Sequence, residues 1–276
     1  MSVQIPPKAL FFDVFGTVVD WRTSIHRALT TSIQSILHDA NRTIPSQLRD
    51  RAASITEKDW HAFAQAWRNE YYESTDSDNL DKNRTLFVTV DEYHLQSLRQ
   101  LLEEWELDGL LTEDEIQKLS LAWHDLAPWP DSVEGLTRLN TKFITSTLSN
   151  GNTSLLKDLN TNGFLPFKHV TGAEDFGVYK PAPAVYQGAA RKLGLETSEC
   201  ALVAAHMSDL AAARKCGFQT IYIERLNEET LGTEEVAKAK KEGWVDLWVS
   251  ENQDGIRDVA AHFGLMHYDL QILGEA

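Results

Sequence analysis

The chain of 276 residues carries 26 Lys and Arg against 41 Asp and Glu, a formal charge of −15, with 42% hydrophobic and 24% charged residues. This is a globular composition, long enough for one large domain or a domain carrying an insertion. So negative a chain disfavours a nucleic-acid face or adsorption to an anionic membrane, while a locally positive pocket for a small anionic substrate stays open to it.

At the amino end, Met1–Lys8 lacks the basic region and apolar stretch of a secretory leader. No later apolar run approaches the roughly 20 residues needed to span a bilayer. Cys200 and Cys216 offer neither a C-x-x-C spacing nor a disulfide framework. A cytoplasmic protein with reduced thiols is the expectation.

The first strong signal is the apolar run Lys8–Phe15, which ends at Gly16 and reads as a strand buried on both faces. From about Thr23 to Leu126 the pattern turns helical. Ile25, Leu29, Ile33 and Leu37 keep the spacing of one helix face, and so do Leu95, Leu98, Leu101 and Leu102. The polar stretch Ser74–Asn79 predicts a link between two of these helices. Trp105, Leu107, Leu110 and Leu111 predict an exposed apolar patch and, through it, a homodimer. Short apolar runs then recur at Phe143–Leu148, Cys200–Ala204, Thr220–Ile223 and Val245–Val249, with helical segments between them. Gly217 is placed to stop a helix beginning near Asp209. Strand, helix, strand at this spacing predicts an α/β fold, a parallel sheet with crossover helices. The long helical stretch is then an insertion covering the carboxyl ends of the strands, where such sheets bind ligands. Lys238–Lys241 is a basic run, but Glu234 lies four residues before Lys238, the pattern of a solvated helix face.

An Asp where the first strand meets a Gly turn stands at the mouth of the sheet, yet alone it could equally cap a turn. Four further segments accompany it: Leu148-Ser-Asn-Gly151, Tyr179-Lys-Pro181 with Tyr186, Ala204-Ala-His-Met-Ser-Asp209, and Trp67-Arg68 in the helical stretch. Together with Asp13-Val-Phe-Gly-Thr17 they resemble, in order and over nearly the whole chain, the haloacid dehalogenase superfamily. Within it they are most similar to the L-specific 2-haloacid dehalogenases. The resemblance implies a Rossmann-like core with helices on both faces, formed by residues 1–20 and 130–276, and an inserted helical cap spanning 21–129.

It also implies roles. Asp13 would displace halide from a small 2-haloalkanoate as a carboxylate nucleophile, forming an ester that water hydrolyses to a 2-hydroxy acid. Lys180 would keep Asp13 ionised, and Thr17 would hydrogen-bond it. Ser149 and Asn150 would hold the substrate carboxylate, and Arg68 would reach from the cap toward carboxylate and halide, since a guanidinium suits both anions. Tyr186 matches a tyrosine that packs at the site, with Phe15, Trp67 and Tyr71 lining its apolar side. Asp209 would orient or deprotonate the hydrolytic water.

Two departures matter. The superfamily's phosphatases place a second Asp two residues after the nucleophile and a metal-binding Asp four before the motif's last one. Here those positions are Phe15 and Ala205, so neither the general acid nor a full set of oxygen ligands for Mg²⁺ is present. Halide leaves without protonation, and no metal or other cofactor is expected. In the fourth motif the dehalogenases carry Ser and Asn where this chain has Ala204 and His206, and His206 could serve as the base or hydrogen-bond Asp209. A hydrolase of another carbon–heteroatom bond, a phosphatase with an atypical metal site, and a catalytically weak binding protein remain the alternatives. His124, outside every matched motif, reads as structural, and Asp20 and Trp21 as hinge and packing residues.

Overall fold

The computed structural model describes residues 6–80 and 87–265, so most of the amino-terminal stretch read above lies outside the described residues. Five strands, β1 (Ala9–Phe12), β2 (Ile144–Thr147), β3 (Cys200–Ala204), β4 (Gln219–Ile223) and β5 (Leu247–Val249), form a parallel sheet in the order β2-β1-β3-β4-β5. Each falls on one of the apolar runs. Along β1, Leu10 and Phe12 face one hydrophobic core while Ala9 and Phe11 face the other. A strand covered on both sides has no polar face, which is why it reads as a continuous apolar run. The edge strand β2 is polar yet buried, because its hydroxyls are bonded: Thr147 Oγ1 donates to the Thr171 carbonyl at 3.0 Å and Ser146 Oγ to Thr171 Oγ1 at 3.0 Å.

Between β1 and β2 come α1 (Trp21–His38), α2 (Ser46–Ser54), α3 (Glu57–Leu80), α4 (Val90–Glu104) and α5 (Glu113–Ser120), followed by α6 (Ser132–Leu139). Helices α7 (Thr153–Asn162), α8 (Pro183–Lys192), α9 (Met207–Lys215), α10 (Thr233–Glu242) and α11 (Gly255–His262) connect and follow the later strands. Leu136 of α6 and Ile256 of α11 share the core of Phe12, whereas Val185 of α8, Leu210 of α9 and Ala239 of α10 share that of Phe11. Helices therefore cover both faces. The Phe12 core continues without a break into Ile25, Trp60 and Leu98 of the helical insertion. Gly217, at φ +95°, ends α9 in the left-handed region that favours glycine. No helix of the described residues is long and apolar enough to cross a membrane.

Two expectations fail. The Ser74–Asn79 stretch is not a link: α3 runs through it to Leu80. Polar composition marks loops only by correlation, and a helix needs just one apolar face. The patch at Trp105–Leu111 is not exposed either. Leu107, Leu110 and Leu111 are buried and Trp105 is half-buried against Phe63. The turn after α4 folds back, with the Leu107 N–H on the Leu102 carbonyl at 2.7 Å, so these residues offer no exposed apolar surface to a second copy. On α10, Lys238 pairs with Glu242 at 3.8 Å and Lys240 sits over Trp248, a solvated face as expected.

His124 joins the insertion to the sheet side. Its Nδ1 lies 2.7 Å from Asp158 Oδ2 on α7 and its Nε2 lies 3.0 Å from Asp91 Oδ1 on α4. Burial opposes charge on this imidazole, but the two carboxylates outweigh it and raise its pKa. Because the folded pKa exceeds the unfolded one, the attraction is fully present below the unfolded value and fades as pH rises through the folded one. His124→Gln should therefore cost on the order of 1 kcal/mol at pH 6 and progressively less at higher pH. Urea unfolding against pH measures this; a cost that does not change with pH would show that packing, not charge, is what the variant removes.

Candidate active site

The strand order reverses beside β1, which has β2 on one side and β3 on the other, and the crevice at such a switch point is where open α/β sheets take ligands. Asp13 follows β1 directly, its N–H bonded to the Val203 carbonyl at 3.0 Å. The chain then turns through Gly16 at φ +81°. Thr17 comes back under the carboxylate: its Oγ1 donates to Asp13 Oδ2 at 2.9 Å and accepts the Ala205 N–H at 2.9 Å. Lys180 places its ammonium 2.9 Å from Asp13 Oδ1 and 2.5 Å from Asp209 Oδ2. Tyr186 donates its hydroxyl to Asp209 Oδ1 at 2.6 Å. Asn150 accepts the Lys180 N–H at 2.7 Å, and Ser149 Oγ accepts the Gly151 N–H at 3.2 Å. Segments spread from residue 13 to residue 209 thus meet around the paired carboxylates of Asp13 and Asp209.

Burial alone would push the Asp13 carboxyl toward its neutral form. The Lys180 ammonium and the His206 imidazole beside it outweigh that and hold it well below the usual carboxylate range. Lys180 is buried too, yet the two carboxylates keep it charged, with its pKa raised. Asp209 is raised chiefly by burial, with Asp13 adding to the effect and Lys180 opposing it. Tyr186, buried against Asp209, stays a protonated donor.

Above these groups lies a cavity of about 380 Å³ lined by Asp13, Phe15, Arg68, Tyr71, Ser149, Asn150, Lys180, Tyr186, His206 and Asp209 among others. Arg68 enters it from α3, only 4% exposed. Its guanidinium is caged by rings, 4.9 Å from the centroid of Phe15, 5.4 Å from Trp21, 5.2 Å from Tyr71 and 4.6 Å from Tyr72. Nη2 donates to the Tyr72 hydroxyl at 2.8 Å, while Nη1 is buried without a hydrogen-bond partner among the described residues. A buried, uncommitted N–H on a permanent cation is costly unless something else fills it. An anion entering the cavity would do so.

Trp67 was expected on the pocket wall and is not there. It is fully buried one layer back, its indole N–H on the His94 carbonyl at 2.9 Å and its ring edge-on to Trp123. The residue next to it on the helix points about 100° away, so only Arg68 of the pair reaches the cavity. His206 does not bond Asp209. Its Nδ1 lies 3.0 Å from Asp13 Oδ2, and its Nε2 lies 3.6 Å from Glu228 Oε2.

Sequence reading missed Glu228 and the part played by Trp21. Glu228 is 3% exposed; it accepts the Trp21 indole N–H at 3.0 Å and the Arg22 Nε–H at 2.9 Å. Gly16 makes room for it, since a Cβ there would stand 2.0 Å from Glu228 Oε2. The available signal was its place in the loop after β4, at the same end of the sheet as Asp13.

The donor set does not fit a divalent metal. Lys180 already holds the cationic position between Asp13 and Asp209, and Phe15 and Ala205 add no side-chain oxygen. Among the described residues no group of three or more His, Cys, Asp or Glu is arranged to hold a metal ion.

A parallel sheet with helices on both faces, a buried Asp directly after β1 and a helical cover over it define an α/β protein with its candidate centre at the switch point of the sheet. The chain belongs to the haloacid dehalogenase-like hydrolases, whose family model matches residues 7–217. It is 27% identical over 227 residues to (S)-2-haloacid dehalogenase 1 of Pseudomonas sp. strain CBS-3, covering 81% of this chain and 87% of that protein. To (S)-2-haloacid dehalogenase 4A of Burkholderia cepacia it is 27% identical over 222 residues, covering 79% and 83%. Among solved structures it is similar to a defluorinating L-2-haloacid dehalogenase, at 35% identity and a TM-score of 0.72 over 92% of this chain and 94% of that one.

Proposed function

We propose that this hydrolase is a metal-independent 2-haloacid dehalogenase acting on small (S)-2-haloalkanoates, with a core of residues 1–20 and 130–276 and a cap of residues 21–129. The observation that carries the reading is the pairing of an Asp13 held ionised with a caged Arg68 whose Nη1 is uncommitted. Asp13, Asp209 and Glu228 are matched by Lys180, His206 and Arg22. Among the described residues lining the cavity, Arg68 is the cation left to receive the substrate anion.

An Asp13 oxygen attacks C2 of the substrate from the side opposite the carbon–halogen bond. Halide leaves with the bonding pair toward Arg68, and an ester joins Asp13 to the inverted carbon. Ser149 and Asn150 hold the substrate carboxylate, and Phe15 and Tyr71 exclude water from the displacement, which favours attack by a poorly solvated carboxylate. Water then adds to the Asp13 carboxyl carbon and the 2-hydroxy acid departs. Nothing stands two residues after Asp13 to protonate an alkoxide, since Phe15 lies against the guanidinium, so an alkyl phosphate suits the site poorly. The partners proposed are small haloacid anions, not nucleic acid or membrane. Free thiols at Cys200, which donates to the Glu196 carbonyl at 3.4 Å, and Cys216 support a reducing, cytoplasmic setting.

The test is halide release from L-2-chloropropionate with and without a chelator, beside phosphate release from a generic aryl phosphate. Stoichiometric chloride and D-lactate, indifferent to chelation, are expected. Magnesium-dependent phosphate release without chloride would replace this reading with a phosphatase.

A further inference from the structure

We infer that Glu228 is the positioning residue that sets His206 up as the base for ester hydrolysis, an inference that rests on the covalent reading above. His206 directly precedes α9, in extended backbone, and its ring lies between two carboxylates. Nδ1 faces Asp13 Oδ2 at 3.0 Å and Nε2 faces Glu228 Oε2 at 3.6 Å. Glu228 cannot swing away, because Trp21 and Arg22 bind its two oxygens and Gly16 closes against it. Other charged or titratable groups nearby are Tyr72 and Arg68 on α3, Glu229, which accepts the Met207 N–H at 2.9 Å, and Lys180 and Asp209 on the far side of Asp13. In the free enzyme both ring nitrogens meet carboxylate oxygens, so His206 is an imidazolium and not a base. Burial opposes that charge, but Tyr72, Asp13 and Glu228 overcome it.

Alkylation changes one side only. The Asp13 carboxylate becomes a neutral ester, while Glu228 keeps its charge and its hold on Nε2–H. The proton released to solvent is therefore the one on Nδ1, and the lone pair it leaves faces the ester. Nδ1 then takes a proton from water as the oxygen of that water bonds to the Asp13 carboxyl carbon. The tetrahedral adduct collapses by breaking the bond from that carbon to the alkyl oxygen, which receives the proton from Nδ1 and departs as the hydroxyl of the product. Asp13 is left as the carboxylic acid, passes that proton to Nδ1 beside it, and so returns as a carboxylate next to the imidazolium. Over the cycle, haloacid and water become hydroxy acid, halide and one proton. At 3.6 Å the Glu228 contact is an ion pair, and it has to shorten by about 0.5 Å to select the tautomer, an ordinary tightening between resting and reacting states. Asp209, occupied by Lys180 and Tyr186, serves the ammonium.

The experiment is single-turnover kinetics of Glu228→Gln with L-2-chloropropionate, following chloride and, by intact mass, the Asp13 adduct. Chloride release should stay within about threefold of wild type while ester hydrolysis slows by about 10- to 100-fold, part of the roughly 10²- to 10⁴-fold that a positioned general base contributes, and the adduct accumulates. The acid limb of hydrolysis should also move to lower pH, because removing a negative neighbour makes the imidazolium give up its proton more readily. A slow variant whose limb has not moved, or a folded variant with normal hydrolysis and no adduct, overturns the role. Should the amide variant not fold, Glu228→Asp must show the same slow hydrolysis to a lesser degree, and normal hydrolysis in it counts equally against the proposal. Absence of chloride release from wild type would sink the dehalogenase reading itself, an outcome separate from any of these.

Discussion

Asp13→Asn should lower chloride release from L-2-chloropropionate by at least about 10⁴-fold and leave no covalent adduct in the intact mass. An amide keeps the shape and can still accept from Thr17, but it has lost the charge that Lys180 and His206 are arranged to hold. The bond to carbon in the first step is made by that carboxylate, so every later step depends on it, and losses of this size follow removal of a covalent nucleophile. Activity within tenfold of wild type would end the covalent mechanism and point to direct attack by water.

Lys180→Ala should cost about 10³-fold or more, and the residual activity should change its pH dependence. The ammonium is the group between Asp13 and Asp209. Without it two buried carboxylates face each other, and such a pair shares a proton because both cannot stay ionised. The pKa belonging to the pair then rises toward neutrality, so the nucleophilic fraction is small at low pH and grows as pH increases. Single-turnover chloride release by the variant should climb from pH 5 to pH 8, a range over which that of the wild type should stay flat, and methylammonium should restore part of it by refilling the cavity. A uniform loss at every pH would mean that Lys180 acts by placing the Asn150 loop, whose side chain holds its N–H, and not by its charge.

The strands, their parallel pairing and the place of Asp13 at the mouth of the sheet were legible because their causes are local. Strands buried on both faces must be apolar from end to end, as β1 and β3 are, and a residue directly after such a strand is delivered to the mouth of the sheet wherever the rest of the chain goes. Asp13, Ser149 and the segment opening α9 at His206 all have that address. The losses at Phe15 and Ala205 could be read for the same reason, since a missing oxygen is missing in any conformation.

The tertiary structure decided whatever depends on which side chains meet across the chain. Trp67 and Arg68 are adjacent, but helical rotation sends one into the aromatic layer and the other into the cavity. Leu107 and Leu110 carry no mark separating an exposed turn from one folded back onto α4. For His206 the sequence left open a role as base or a hydrogen bond to Asp209, three residues away, and the fold instead sets it between Asp13 and Glu228. Glu228 sits among acidic residues in a loop and nothing in its spacing sets it apart. It matters because the Gly16 turn lets its carboxylate in and because Trp21 and Arg22, more than 200 residues earlier, fix it there. Periodicity reports which face of an element is buried, while the partner on that face is set by the packing of elements far apart in the chain.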